Sequence, residues 1–258
     1  MKLTDEIELL TDSIAEKQAN SFVANHFGDW IFIGASIETV IMEQAVVIYQ
    51  DVADPEYFGA TIRSQGISQV AINTRQNLRN RYSSVAHELW HLLVLTNQVP
   101  ANQVSQLNNE RAADHFAASV MLPEMLVKRY WQAAKHQANF NPVLSIIQLA
   151  DLSAMPYVAV TRRLRELGLR VSTELQAYDE RAWKLARNRL DLVMSPLDEP
   201  QPIVSFSALK RAVLQALKLK QLTLDEAATM LTHAEPTVAA KLWAQRRQQL
   251  NDVATHDD

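Results

Sequence analysis

The sequence predicts an α+β protein that is predominantly helical, with a small three-stranded antiparallel sheet near the N-terminus and further helices towards the C-terminus. Apolar residues recur at helical spacing over most of the chain after residue 77, whereas three short β-like runs lie between residues 45 and 72. Only 5 of the 258 residues are glycine and 7% are aromatic, which disfavours an all-β architecture with many glycine turns. The 48% of apolar and 21% of charged residues are ordinary proportions for a globular protein.

The N-terminal third contains two predicted helices and the candidate strands. The helices span residues 5–26 and 36–44. The β-like runs cover residues 45–49, 57–62 and 69–72. Turn-forming residues at 54–56 and 64–66 separate consecutive runs, so the runs are expected to form an antiparallel meander.

The remainder of the chain is helical in pattern. One helix is predicted at residues 77–95 and another at 110–121, with Asn108 or Asn109 as its N-cap and Pro123 helping to end it. Later helices are predicted at residues 124–138, 142–151, 156–167, 173–193, 205–220, 223–231 and 235–250. The fold is therefore expected to consist mainly of packed helices.

Four divisions of the chain follow from this pattern. Residues 1–123 are expected to form the core that carries the candidate site, and residues 124–194 a helical subdomain. Residues 195–202 are interpreted as a linker because three of the nine prolines of the chain lie within these eight residues. Residues 203–258 are predicted to form a C-terminal helical region.

Composition excludes several classes of protein. The chain has no cysteine, so disulfides and thiolate metal sites are excluded, and any metal must be bound by histidine and carboxylate. Residues 1–6 are acidic where a secretory signal is basic, and no apolar run of about 18 residues occurs, so a cytoplasmic protein without a membrane span is expected. The formal net charge of −4 disfavours nucleic-acid binding by bulk electrostatics.

The run SVAHELWHLL, residues 84–93, contains H-E-x-x-H in a segment free of glycine and proline. His87 and His91 would lie on one helix face with Cβ atoms about 5–6 Å apart. Two imidazoles placed in this way can bind one ion at about 2.0–2.1 Å. Glu88 could reach a water on that ion without binding the ion itself, the arrangement of a metal-dependent hydrolase. The alternative interpretation is a helix with two incidental histidines.

A candidate third ligand follows in the next predicted helix. Glu110 and Asp114 are one helical turn apart and share a face. This E-x-x-x-D pattern after H-E-x-x-H resembles the thermolysin-like zincins, in which the glutamate is the third zinc ligand and the aspartate supports a ligand histidine. On this resemblance Glu110 is assigned as the third ligand and Asp114 as the acceptor of a ring N–H from His87 or His91. Such a site keeps its fourth position for water.

His115 is a competing candidate for the third ligand. It follows Asp114 directly, but on a helix it faces about 100° away from it, which favours a solvated or packed histidine. A metzincin site would need a glycine and a further histidine after His91, where the chain has Val94 and Asn97. The metzincin class is therefore excluded.

Two blocks of the sequence resemble the ImmA/IrrE-type metallopeptidases. Residues 81–93, RYSSVAHELWHLL, are similar to that family's basic–aromatic pair, small residues and A-H-E-L-G-H-L-L. Residues 110–123, ERAADHFAASVMLP, are similar to its block E-x-x-A-N-x-F-A-x-x-L-L-M-P. The likeness covers about residues 40–170 and implies a zincin-like core.

Three residues depart from the family pattern. Trp90 replaces the usual glycine and is expected to add bulk beside the metal face and narrow the cleft. Asp114 stands where asparagine is common and can still accept an imidazole N–H. Tyr82 replaces the usual phenylalanine; its hydroxyl is a candidate oxyanion stabiliser, although packing in the core is the favoured role.

The resemblance implies a cytoplasmic endopeptidase that acts on a specific protein substrate. Members of the family cleave helix-turn-helix repressors in mobile elements or stress responses, so a repressor or antitoxin of that class is the expected partner. Zn²⁺ is the expected cofactor, with Mn²⁺ as the alternative. Residues 142–168 resemble the family's helix-turn-helix-like segment, which is expected to wall the cleft.

Two other functions remain as alternatives. One is a catalytically weak regulatory binding module that keeps the zincin fold, against which the intact set His87, Glu88, His91 and Glu110 counts. The other is a DNA-binding regulator that uses residues 142–169, whose three arginines could touch phosphates. The wider stretch 157–190 carries eight basic and four acidic residues, a net charge of only +4. Direct nucleic-acid binding is therefore the less favoured interpretation.

Overall fold

The computed structural model describes residues 3–28 and 31–254 of the chain. Residues 1–2, 29–30 and 255–258, which belong to the first and last predicted divisions, lie outside the described residues. The described part is mostly helical with one small sheet, so the predicted α+β class is confirmed.

The first elements follow the predicted order. The structure begins with helices α1 (Leu3–His26) and α2 (Ile37–Gln44), and continues with strands β1 (Val46–Gln50), β2 (Gly59–Ser64) and β3 (Ile67–Asn73). A 3-10 turn, Gly34–Ser36, leads into α2. The strands bury alternate apolar side chains, Val47 and Tyr49 in β1 and Val70 and Ile72 in β3.

The sheet differs from the predicted three-stranded antiparallel meander, because it is mixed and has four strands in the order β2-β3-β1-β4. β2 and β3 do form an antiparallel hairpin, and its turn residues Gln65 and Gly66 both have positive φ. β1, however, pairs in parallel with β3, with Val47 opposite Val70. The more apolar β1 and β3 occupy central positions and the mostly exposed β2 lies at the edge.

The fourth strand, β4 (Ser205–Phe206), comes from the C-terminal part of the chain and pairs antiparallel with β1. These two residues were predicted as the start of a helix. The buried carboxylate of Glu235 explains the strand, because it accepts hydrogen bonds from the Ser205 hydroxyl at 2.7 Å and from the Phe206 amide at 3.0 Å. These contacts keep the segment extended beside β1.

Apart from the short α4, which was not predicted, the other helices lie close to their predicted positions. They are α3 (Leu78–Leu95), α4 (Ala101–Val104), α5 (Asn109–Met121), α6 (Glu124–Lys135), α7 (Pro142–Ser153), α8 (Tyr157–Glu166), α9 (Thr173–Gln176), α10 (Glu180–Arg189), α11 (Ser207–Lys218), α12 (Leu224–Leu231) and α13 (Pro236–Ala254). The predicted helix 173–193 is divided because Asp179 acts as an N-cap and accepts the Ala182 amide at 2.7 Å.

Helices α7 and α8 meet at 106°, with three residues between them. This angle and this short turn are those of a helix-turn-helix pair. The two helices also supply buried residues of the main core, including Ile146, Ile147, Val160 and Leu164. Among the described residues, no helix alone has the length and apolar character to cross a membrane, and this bent pair meets that test only when its two helices are counted together.

One apolar cluster extends from Ala15 in α1 to Ala186 in α10 and includes the sheet, α3 and α5. It continues across the predicted boundary at residue 123. A second, smaller cluster joins α11, α12 and α13 through the side chains of Val213, Ala227, Ala228, Leu231, Ala239 and Leu242. The predicted domain limits stay predictions, but the site-bearing helices and the helix-turn-helix-like pair share one core.

A buried arginine connects the Pro-rich segment to this core. Arg79 of α3 is 1% exposed and donates from Nε to Asp198 Oδ1 at 2.6 Å and from Nη2 to Asp151 Oδ1. Tyr157 donates its hydroxyl to the other oxygen of Asp198 at 2.9 Å. The segment interpreted as a linker therefore contributes a buried carboxylate to the packing of α3, α7 and α8.

A second charged cluster joins α1, α5 and α8 around Glu16. Arg163 binds both oxygens of this carboxylate at 2.6 and 2.8 Å, Ser119 donates its hydroxyl at 2.6 Å, and the His115 ring nitrogen lies at 2.9 Å. Burial raises the pKa of Glu16, but these partners outweigh that effect and hold the pKa far below its usual range. The ionised carboxylate thus fixes three helices relative to one another.

We predict that Glu16→Gln destabilises the protein at neutral pH. The side chain is 21% exposed, so the loss should be about 2 kcal/mol, below the range for breaking a fully buried ion pair. Because the folded-state pKa is depressed, the wild type keeps this contribution above the unfolded pKa near 4.5 and loses it as the pH falls towards the folded value.

Urea unfolding of both proteins at neutral and acidic pH measures this effect. The difference in unfolding free energy should shrink as the pH falls below about 4.5. Glu43→Gln, at an exposed position of α2, is the matched control and should unfold like the wild type. Equal stability of the Glu16 variant and the wild type at pH 7 would contradict the prediction.

Candidate metal centre

Helix α3 presents its two histidines from a firmly packed surface. Asn77 caps the helix by accepting the Asn80 amide at 2.9 Å. Leu89 and Leu92 are fully buried on the side that packs into the core. His87 and His91 project from the other side, with partly exposed rings whose centroids are 4.9 Å apart. The predicted i, i+4 pair is therefore formed on one helix face.

Helix α5 is held against α3 by a contact that the sequence did not suggest. Trp90 was expected to narrow the cleft, but its indole is fully buried and lies 5.6 Å from the Phe116 ring. Its Nε1 donates to Asn109 Oδ1 at 2.7 Å. Because Asn109 is the first residue of α5 and precedes Glu110, the tryptophan fixes the start of the second helix beside the first.

Glu110 completes a compact group with the two histidines. Its Oε2 lies 3.3 Å from His87 Nε2 and its Oε1 lies 3.6 Å from His91 Nε2. The two Nε2 atoms are 3.1 Å apart. For bonds of about 2.0–2.1 Å in a tetrahedral shell, neighbouring ligand atoms are about 3.3–3.4 Å apart. The separations therefore fit a tetrahedral ion such as Zn²⁺ bound by two imidazoles and one carboxylate.

Asp114 supports His87 rather than His91. Its Oδ1 lies 2.9 Å from His87 Nδ1, which places the proton on Nδ1 and leaves Nε2 free to face the metal position. Burial lowers the pKa of His87, but the hydrogen bond and charge of Asp114 outweigh burial and raise it. Burial and the neighbouring His87 lower the pKa of His91, which favours its neutral, ligand-competent form.

Glu88 lies beside the group of ligands and is held by β2. Its side chain is 7% exposed, and the Thr61 hydroxyl donates to Oε2 at 2.7 Å. Gly59 lies so close that a Cβ atom there would stand 3.1 Å from Oε1. Sequence reasoning missed both roles, because residues 59 and 61 have no fixed spacing to the H-E-x-x-H helix. The strand pattern immediately before that helix was the available signal.

These side chains line a cleft of about 710 Å³ between α3, α5 and the edge strand β2. The metal-binding candidates, Glu88 and Asp114 form its floor together with Ser83 and Ser84. Tyr57 stands at its wall, where burial and the charge of Glu88 raise the pKa of the phenol. The cleft thus brings a polar, protonated hydroxyl and a buried carboxylate to the same space.

Two candidates from the sequence lie elsewhere. Tyr82 is 7% exposed, packs in the core and is not among the cleft residues, which favours its packing role over oxyanion stabilisation. The His115 ring contacts Glu16 of α1 instead of the metal position. In the part of the chain that the structure describes, the one group of three potential ligands within 4.8 Å of one another is His87, His91 and Glu110.

Comparison with known proteins gives one match. Residues 44–165 match the family profile Peptidase_M78, described as an IrrE N-terminal-like domain. No curated protein and no solved structure shows significant similarity to the chain. The matched range contains both site-bearing helices, the three strands before them and the helix-turn-helix-like pair up to residue 165. Over this region the chain is similar to the IrrE N-terminal-like domain, which supports the resemblance to the ImmA/IrrE family, a family of the zinc metallopeptidase type.

Proposed function

We propose that the protein is a cytoplasmic zinc-dependent endopeptidase that hydrolyses a peptide bond in a specific protein substrate. The observation that carries this proposal is the tetrahedral spacing of His87, His91 and Glu110 beside the buried carboxylate of Glu88. The substrate class, a helix-turn-helix repressor or antitoxin, is supported by the family resemblance. Cleavage of such a repressor would act in a stress response or in the control of a mobile element.

The side chains of His87, His91 and Glu110 would hold the ion. Zn²⁺ is the expected ion, and Mn²⁺ is the alternative. When bound, the ion would polarise the scissile carbonyl and lower the pKa of a water towards about 7. Glu88 takes a proton from the attacking water and delivers it to the leaving amine nitrogen. Thr61 orients the carboxylate by binding Oε2, and Asp114 orients the ring of His87.

Two alternatives fit the contacts less well. A catalytically weak binding module would have no need of a base held by both a hydroxyl and a closely packed glycine. A DNA-binding regulator would use the three arginines of α8, but Arg163 is 2% exposed and is bound to Glu16, which leaves Arg162 and Arg165 for phosphates. The peptidase interpretation uses every residue of the cluster in a chemical role.

We predict that Glu88→Gln keeps stoichiometric zinc and loses cleavage by about 10²–10⁴-fold, because the amide cannot accept the proton of the water. The assay mixes the purified protein with a helix-turn-helix repressor encoded beside it, with and without a chelator, and follows the repressor fragments. Glu56→Gln, at the exposed rim of the cleft, is the matched control. Cleavage by the Glu88 variant at the wild-type rate would show that Glu88 is not the base.

Asp114→Ala should weaken zinc affinity about 10–100-fold, since the His87 ring loses the acceptor that fixes its orientation. Asp114→Asn should stay near the wild type, because its amide oxygen accepts the same ring N–H. Competition with a chromophoric chelator measures the affinity. Equal zinc affinity for wild type and Asp114→Ala would remove Asp114 from the metal centre.

Thr61→Val should lower kcat about tenfold or more with zinc content and KM unchanged, because the variant loses a hydrogen bond to a charged carboxylate. Thr61→Ser should restore the wild-type rate, because its hydroxyl can donate the same hydrogen bond. A valine variant with an unchanged kcat would limit Thr61 to packing.

A further inference from the structure

A second groove adjoins the candidate metal centre, between α1, α5 and α8. Its volume is about 650 Å³, and it shares Ser83, Glu110 and Asp114 with the cleft. The two spaces therefore adjoin at the carboxylates of Glu110 and Asp114. A polypeptide substrate bound in the cleft would have the groove as its neighbouring surface.

Two arginines of the helix-turn-helix-like pair line the groove. Arg162 and Arg165 are three residues apart on α8 and so are neighbours on one helix face. Both side chains are exposed. Among the described residues, neither has a hydrogen-bond or ion-pair partner. They contrast with Arg163 on the opposite face, whose guanidinium is buried against Glu16.

The remaining basic residue of α5 in the groove is already neutralised. Arg111 binds Asp12 through Nε and Nη2, both at 2.7 Å, and Glu8 through Nη1 at 2.9 Å. At the other wall, Glu166 lies 3.8 Å from Arg163. Glu8 and Asp12 therefore share one guanidinium, and Glu166 shares Arg163 with Glu16.

The two carboxylates that the groove shares with the cleft also face partners. Asp114 is bound to His87, and Glu110 lies against both His87 and His91. Among the arginines that line the groove, Arg162 and Arg165 are thus the two without a side-chain partner in the described part of the chain. Guanidinium groups bind carboxylates through two parallel hydrogen bonds, so the geometry suits an acidic ligand.

We propose that Arg162 and Arg165 bind acidic side chains of the polypeptide substrate and thereby select substrates with Asp or Glu on one side of the cleaved bond. This inference rests on the proposed peptidase function of the adjoining cleft. It assigns α8 to substrate recognition, although α7 and α8 have the geometry of a DNA-binding pair.

A peptide fits this groove better than a nucleic-acid duplex. DNA carries one negative charge per about 1.7 Å of helix axis, so it would also place phosphates near Glu8 and Asp12 on the facing wall. A peptide can place carboxylates at the two arginines and neutral residues opposite those acids. Arg162 and Arg165 can therefore bind spaced carboxylates that stand away from the facing acids.

The test uses the full-length Glu88→Gln protein, so that binding is measured without dependence on cleavage. The probes are two fluorescein-labelled peptides of one sequence that differ only in Glu or Gln at alternate positions, together with a Lys counterpart. Fluorescence anisotropy should show that the Glu peptide binds about tenfold more tightly than the Gln peptide, with an affinity that falls as salt rises.

The variants decide whether the two arginines are responsible. Arg162→Gln with Arg165→Gln should weaken Glu-peptide binding about tenfold. Arg162→Glu with Arg165→Glu should shift the preference to the Lys peptide. Arg170→Gln, at an exposed arginine outside the groove, is the matched control and should bind like the parent protein.

Three results would overturn the proposal. They are absence of Glu-peptide binding to the parent protein, unchanged binding in the doubly neutralised variant, and tighter binding of a labelled DNA duplex that depends on the same arginines. A failure of the peptidase function would be visible separately, as a wild-type protein that cleaves no repressor while the peptide-binding results stand.

Discussion

The candidate metal centre depends on one geometric constraint: side chains from two separate helices must bring three ligand atoms to within bonding distance of one ion. Ligand separations of 3.1–3.6 Å leave little tolerance, because a small shift of α5 along α3 would take Glu110 out of range. The Trp90–Asn109 hydrogen bond and the contact of Asp114 with His87 hold the two helices in register. The metal centre is thus supported by the packing directly beneath it.

Buried charge fixes the helices that surround this pair. Glu16 binds α5 and α8 to α1, and Arg79 binds α3 to α7, α8 and the Pro-rich segment. These ionic clusters specify one arrangement, because a displaced helix would leave a charge buried without a partner. The helix-turn-helix-like pair is consequently fixed beside the groove that adjoins the cleft and does not line the cleft itself. Arg163 faces the core, and Arg162 and Arg165 are exposed at the groove.

Local relations in the sequence predicted the candidate site better than they predicted the pairing of the strands in the sheet. His87, Glu88 and His91 follow from helical spacing alone, and Glu110 with Asp114 from a second local pattern supported by family resemblance. The parallel pairing of β1 with β3 and the arrival of β4 from residue 205 are long-range contacts, which strand periodicity does not encode. Thr61 and Gly59 were missed for the same reason, since their proximity to Glu88 arises only from the folded sheet.

X-ray absorption spectroscopy of the zinc-loaded protein tests the central claim most directly. The account predicts one zinc per chain, with two imidazole nitrogens and two oxygens at about 2.0–2.2 Å, one oxygen from Glu110 and one from water. Replacement of Glu110 by alanine should change the oxygen shell and leave both imidazoles. A wild-type spectrum with three imidazoles, or no bound zinc at all, would contradict a catalytic centre formed by α3 and α5.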